Sequence, residues 1–269
     1  MLESWAKYQV YQCQQLYLEK FSSPSQRTLS GLIGLNVLVF VGWRLLPLKC
    51  QPFMTRWFTN HPVWCVGPRN LTLIASNFSH QHLLPLTVNM IALWYFGTAL
   101  HDILGRQQFL AFYFSSAVTS ATISRILGLL TRRYRPILLL PSSTSLGASG
   151  TVYSCLAAVT ALHPHYTIDL IPRLPIEYST ILPGLLTVDI TGILFQWRLF
   201  DHYAHLGGAG FGLWYMTYGQ EKMWIPLVRK IRDIRDRNER NGRNGSGPPT
   251  STIDIQAPRL PWIRRVNKE

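Results

Sequence analysis

The chain has 269 residues, 47% of them apolar and only 14% charged, well below the roughly 25% charged of an ordinary soluble domain. Its charge is nearly absent from several long runs and crowded between them, which excludes a uniformly solvated fold. The formal net charge of +13 suits an anionic membrane surface. No RNA- or DNA-reading motif accompanies it, so a lipid bilayer rather than nucleic acid is the expected neighbour.

Residues 1–28 are mixed and aromatic, with Glu3 and Glu19 among the lysines. They contain neither the apolar core of a secretory signal nor the acid-poor, Arg-rich pattern of a mitochondrial transit peptide, so they read as an extramembrane segment. Six apolar stretches follow, each near the ~20 residues that cross a bilayer: Leu29–Leu46, Leu83–Leu100, Gln107–Leu130, Leu146–His163, Thr180–Trp197 and Tyr203–Gly219. The first ends on Trp43 and Arg44, an aromatic anchor and a snorkelling cation. Pro183, Gly184 and Asp189 make the fifth the weakest. The loop Pro47–His82 holds Trp57, Phe58, Trp64 and Phe78 and is broken by Pro52, Pro62 and Pro68. It is too aromatic for a solvated linker and too interrupted to span, so it is expected to lie half in the headgroups.

The third loop carries Arg132, Arg133 and Arg135, and both membrane faces bear basic loops, so the positive-inside rule assigns no orientation. After Gly219 comes a basic tail, residues 220–269. It opens on a short amphipathic helix and passes into a polar, Gly/Pro-rich linker. The expected organisation is therefore an extramembrane segment over 1–28, a six-helix core over 29–219 and a basic, partly disordered tail. Cys13, Cys50, Cys65 and Cys155 lack metal or disulfide spacing. His80, His82, His163 and His165 occur without an HExxH pattern, so neither a metal nor another cofactor is expected.

The chemistry concentrates at Pro141–Gly150, PSSTSLGASG, and at Ala204–Gly212, AHLGGAGFG. A serine hydroxyl is a weak nucleophile until a base accepts its proton. Ser149 begins the fourth apolar stretch, His205 the sixth, and Asn89 lies several residues into the second. All three stretches start on one membrane face. At ~1.5 Å per residue these polar groups share one depth. Gly147 and Gly150 flank the serine, while Gly208 and Gly212 form a small-xxx-small face beyond the histidine, so the two helices can approach closely. Ser149 then serves as nucleophile and His205 as general base and acid. Asn89 and the backbone N–H groups of Ala148 and Ser149 are candidates to hold the oxyanion. Tyr153, one turn beyond Ser149, can stack on the imidazole or simply pack. Asp189 is a mid-membrane acid: a third catalytic member, or a structural hydrogen-bond partner of Thr187 or Thr191.

On these residues the sequence resembles the rhomboid intramembrane serine proteases, in particular their mitochondrial presenilin-associated branch. The matching text is SQRTLSGLIGLNVLVFVGWR, then NFSH and NMIALWYFG, then SLGASG, then DITGILFQWRLFDHYAHLGGAGFGLWYMTYG, collinear over Ser25–Gly219. The resemblance implies an all-α bundle of six membrane-spanning helices with an embedded first loop. It also implies a Ser149–His205 dyad lacking a catalytic acid, a lateral gate at the fifth helix, single-pass protein substrates and the mitochondrial inner membrane. Two departures stand out. The family's oxyanion histidine, four residues before Asn89, is here Pro85, which has no donor at all, and His82 is a candidate to replace it. The branch's additional span before the core is not matched by residues 1–28, which suggests an isoform, a processed form or a fragment. Pro85 also keeps open a non-cleaving protein that binds transmembrane helices.

Overall fold

The computed structural model describes residues 23–60, 70–133, 145–171, 174–195, 197 and 200–242. Trp64, Pro62, Pro68, Arg135, Cys13 and Cys65 lie outside these residues, as do most of the N-terminal segment and the end of the tail.

The first helix, Pro24–Leu45, starts ahead of the apolar stretch expected from Leu29, because the polar residues before that stretch form a cap. Ser23 accepts from the Gln26 N–H and Gln26 reaches back to the Ser23 N–H, a reciprocal cap, with Pro24 supplying a preset φ at the first helical position. It stops at Leu46, held extended ahead of Pro47. Leu35, Leu38, Val41 and Leu45 leave its outer face apolar and exposed. This helix and Leu83–Leu104 are, among the described residues, the two that are long and apolar enough to cross a membrane. Further helices follow at Arg106–Arg133, Ser149–Leu162, Tyr178–Leu194 and His202–Trp214.

Several expectations shift. The chain is predominantly helical, but Thr167–Ile171 and Leu174–Glu177 pair antiparallel, Thr167 opposite Glu177 and Ile168 opposite Ile176. This small hairpin follows the His163 helix exit and leads into the Tyr178 helix. The interruptions within that helix do not break it. Pro183 forfeits the one N–H bond that residue 183 would make to the preceding turn, and its ring is exposed. Nor do helix ends coincide with the expected core limits at 29 and 219. The first helix starts at Pro24, and the last runs through a π-helical stretch, Tyr215–Trp224, into Ile225–Gly242. Cys50 and Cys155 are free thiols.

The segment before Leu83 contains a helix at Gln51–Phe58 and two short turns at Thr72–Ala75 and Ser76–Phe78. Its polar groups face inward and fasten it to the bundle. Asn60 forms a two-way backbone bridge with Ser145 (2.8 and 2.9 Å) and donates through its amide to the Ala121 carbonyl at 2.8 Å. Arg125, buried, donates to Asn60 at 2.9 Å and to Thr72 at 2.9 Å. Asn77 takes the Thr151 hydroxyl proton at 2.7 Å and donates to Tyr113 at 3.0 Å. Trp43 donates to the Ser79 hydroxyl at 2.7 Å. A buried polar group without a partner costs on the order of 1–3 kcal/mol, so these bonds fix the segment against the start of the serine helix. That is where the chemistry lies.

Candidate active site

Ser149 sits where the fastened loop meets the bundle. Its helix begins with Ala148 and Ser149 after Gly147, whose φ of 128° is a left-handed conformation that a side chain would strain. The Gly147 N–H donates to the Ser76 carbonyl at 2.9 Å, so the fastened loop sets the entry angle of the helix. Asp201 caps the opposite helix, accepting from the Ala204 N–H at 3.0 Å while Ser124 donates to its other oxygen at 2.5 Å. Both helix starts are thus pinned at the same level.

Glycines bring the two helices together. A Cβ on Gly208 would run into the Gly150 carbonyl, one on Gly212 into the Ser154 carbonyl, and one on Gly150 into Ser120 at 2.7 Å. The Ser154 hydroxyl donates to the Gly208 carbonyl at 2.6 Å and also meets Ser116. Backbone contact at this range replaces side-chain interdigitation. Its consequence is direct: Ser149 Oγ lies 2.8 Å from His205 Nε2.

The other nitrogen of His205 is not free. Asp189 Oδ1 lies 2.8 Å from His205 Nδ1 and 2.7 Å from His202 Nδ1, with all three side chains buried. A carboxylate only accepts, so both Nδ1 atoms carry protons. His205 is therefore held in the tautomer whose Nε2 has a lone pair for the serine proton. Tyr153 lies flat on the imidazole, with ring centroids 4.2 Å apart and planes 11° apart. Where the resemblance implied no acid, the geometry supplies Asp189. Thr187 is turned away and donates to the Pro183 carbonyl at 2.8 Å. His202 went unsingled in the sequence. Its signal was the spacing His202-x-x-His205, which puts both rings on one helical face, and Gly192, where a Cβ would enter the His202 ring.

Two of the oxyanion candidates, Asn89 and Ala148, point at one atom, a nitrogen of His80. Asn89 Nδ2 lies 3.1 Å from His80 Nε2, and the Ala148 N–H points at that same nitrogen at 3.4 Å. His82, the sequence candidate, is exposed at the N-cap position of the Leu83 helix, where its side chain makes no capping bond, and Pro85 is exposed beyond it. His80 is the one turned inward, because the extended backbone at Ser79 and the bend before Leu83 bring residue 80 beneath the start of the serine helix. Burial pushes the His80 pKa down to about 4, so its ring is neutral near pH 7. A small recess lined by Ser76, Asn77, Ser120, Ala121, Leu146 and Ser149 borders the hydroxyl.

Asp189, His202 and His205 also present ligand atoms within 4.8 Å of one another, close enough for one metal ion to reach all three. Asp189 Oδ1 and the two Nδ1 atoms bond to one another, while Asp189 Oδ2 and His202 Nε2 are buried without a hydrogen-bond partner. His163 and His165 are not part of this cluster: His163 stacks on Tyr166, and His165 stands exposed beside Glu177.

A serine, an oriented imidazole and N–H donors aimed at one nitrogen thus lie close together at the ends of packed helices. Residues 68–222 match the rhomboid domain, and the chain belongs to the rhomboid family. It is 40% identical over 204 residues to presenilin-associated rhomboid-like protein, mitochondrial, of Homo sapiens, a match covering 75% of this chain and 51% of the relative. To presenilin-associated rhomboid-like protein A, mitochondrial, of Danio rerio it is 39% identical over 204 residues, covering 75% and 50%. To rhomboid protein 1, mitochondrial, of Saccharomyces cerevisiae it is 32% identical over 207 residues, covering 75% and 57%. The chain spans about half the length of these relatives. With a rhomboid membrane domain and mitochondrial relatives across most of its length, it is a mitochondrial membrane protein.

Proposed function

We propose that this chain is an intramembrane serine endopeptidase of the mitochondrial inner membrane, cutting single-pass proteins in or near their transmembrane segments. Six helices cross the bilayer in this reading, those starting at Pro24, Leu83, Arg106, Ser149, Tyr178 and His202. The observation that carries it is the 2.8 Å approach of Ser149 Oγ to His205 Nε2, with Asp189 on the far nitrogen.

Ser149 Oγ attacks the scissile carbonyl while His205 Nε2 takes its proton. Asp189 stabilises the imidazolium that forms, and the Tyr153 ring keeps it in plane. The tetrahedral oxygen is held by the Ala148 and Ser149 N–H groups and by the Asn89 amide, each such donor being worth roughly 10²–10³ in rate. His205 then returns the proton to the leaving amine. Water entering by the Ser76–Ser145 recess then attacks the acyl carbon and gives a proton to the same nitrogen, which passes it to Ser149 Oγ as the C–Oγ bond breaks and the new carboxyl terminus leaves. No step requires a cofactor. The Tyr178–Leu194 helix, apolar and exposed at Leu185, Val188 and Ile190, is the side from which a substrate helix would enter.

The test is covalent. A fluorophosphonate probe should label the purified protein in lipid, and a single-pass mitochondrial helix should be cut in proteoliposomes. Ser149→Ala and His205→Ala should each lower cleavage by roughly 10⁵ or more and abolish labelling. A folded, unlabelled wild-type protein that still binds the helix would instead support the non-cleaving reading that Pro85 left open.

A further inference from the structure

Resting on that hydrolase reading, we infer that His80 is the resting occupant of the oxyanion site: its Nε2 lone pair takes the hydrogen bonds of Ala148 and Asn89, and the substrate carbonyl oxygen must displace it before attack.

Direction of donation carries the argument. The Ala148 N–H can only donate, so His80 Nε2, 3.4 Å away, accepts and its proton sits on Nδ1. The Asn89 Nδ2 group, 3.1 Å away, then donates to the same lone pair. Two donors aimed at one acceptor is the pattern an oxyanion would present, and the imidazole reproduces it without substrate. The position is also the right one. The missing Cβ of Gly147 would stand 3.7 Å from His80 Nε2 and 4.0 Å from Ser149 Oγ, so both atoms border the space beside this glycine. Pro85, exposed and without an N–H, supplies nothing to the site that would compete with the ring.

The ring is seated but not locked. His80 Nδ1 is buried with no hydrogen-bond partner, although it must carry the proton. An unmatched buried donor disfavours the resting pose, and His80 stands in the non-helical stretch between Phe78 and Leu83, where a side-chain swing disturbs no helix. An entering carbonyl oxygen takes over both donors and frees Nδ1 to reach water. His80 thereby discriminates among substrates. Only a segment that seats its carbonyl well enough to replace the imidazole gains access to Ser149.

Steady-state cleavage by His80→Ala in proteoliposomes reads this directly. Releasing two modest hydrogen bonds should raise kcat/KM about tenfold, through KM, with kcat within about twofold. A fall in kcat of roughly 10² would make His80 an oxyanion donor and overturn the inference, and unchanged constants would do the same. Should the variant not fold, ¹⁵N-histidine NMR on the wild-type protein decides, with His80 assigned by His80→Gln or by its contacts to Ala148. The resting ring should carry its proton on Nδ1, and its Nε2 signal should move when a fluorophosphonate occupies Ser149 and sends its phosphoryl oxygen into the site. A protonated resting Nε2, or one indifferent to phosphonylation, sinks this inference alone. Failure of the probe to label Ser149 sinks the hydrolase reading, and this inference with it.

Discussion

Two walls enclose His205, and they are built on opposite principles. Toward Ser149 the wall is a backbone seam. Gly150, Gly208 and Gly212 leave no room for a Cβ, and Ser154 bonds across the gap. Toward Asp189 the wall is a helix, Tyr178–Leu194, exposed along Leu185, Val188, Ile190 and Leu194 and entered through a two-stranded hairpin. One wall sets a distance by excluding atoms. The other delivers a charge from a helix that turns an apolar face outward. In the proposed reaction the seam would hold nucleophile and base at a fixed distance, and the outer helix would admit the substrate while carrying the group that readies the base.

The largest effect that separates the walls should come from Asp189→Asn. Neutralising the carboxylate removes both the charge that stabilises the His205 imidazolium and the demand that Nδ1 carry the proton. Cleavage should fall on the order of 10³, chiefly in kcat, with substrate binding and Ser149–His205 spacing preserved. If kcat changes less than about tenfold, the outer wall contributes no chemistry and the site works as a simple dyad.

Next comes the seam itself. Gly208→Ala places a methyl group against the Gly150 carbonyl, and backbone cannot yield as a flexible side chain can. The helices must part, at a cost of roughly 1–3 kcal/mol in stability. Even ~1 Å of separation between hydroxyl and imidazole costs about 10² in rate. Thermal unfolding and probe labelling at Ser149 should both decline. Normal labelling would mean that the seam is not what fixes the 2.8 Å approach.

This contrast also explains which parts of the molecule could be read from the chain. The seam was legible because glycines at Gly150, Gly208 and Gly212 carry one meaning in apolar helices, close approach, and the serine and histidine lie at matched depths. Tyr153 followed from the same helical period. The outer wall was not legible in this way. Asp189 had Thr187 and Thr191 as equally local partners, and only the fold shows that the carboxylate faces His202 and His205 across to the next helix. His80 was obscured by His82, which is nearer in sequence to Asn89 but is exposed at the start of its own helix. The hairpin at Thr167–Glu177 was too short and too Pro-rich for a period-two signal. Domain limits at 29 and 219 followed hydropathy, whereas the helices follow capping at Ser23 and backbone continuity through Tyr215–Trp224.

Within the outer wall, Gly192 joins the helix to the charge cluster. Its missing Cβ is the space occupied by the His202 ring, so Gly192→Ala should push His202 off Asp189. His205 keeps its own bond to the carboxylate. The expected loss is therefore about tenfold, near the cost of one hydrogen bond to a charged group. It should resemble a weak form of Asp189→Asn rather than of Gly208→Ala: lower kcat, little change in unfolding temperature. A stability loss as large as that of Gly208→Ala would show that the outer wall is as tightly built as the seam.

The smallest effect is the sharpest control. Gly184 lies in the same outer helix as Gly192, yet nothing stands within 4 Å of the Cβ it lacks. Gly184→Ala is the same chemical change as Gly208→Ala, one methyl group in an apolar helix, with no backbone to strike. Helical glycine is worth about 0.5–1 kcal/mol less than alanine, so the variant should be unchanged or slightly more stable to heat. Cleavage should stay within about twofold unless bending of this helix admits the substrate. In that case kcat/KM alone falls while probe labelling of Ser149 holds, because the small probe needs no open wall. A loss of labelling in Gly184→Ala would contradict both the empty surroundings of that glycine and the division between a fixed seam and a permissive outer helix.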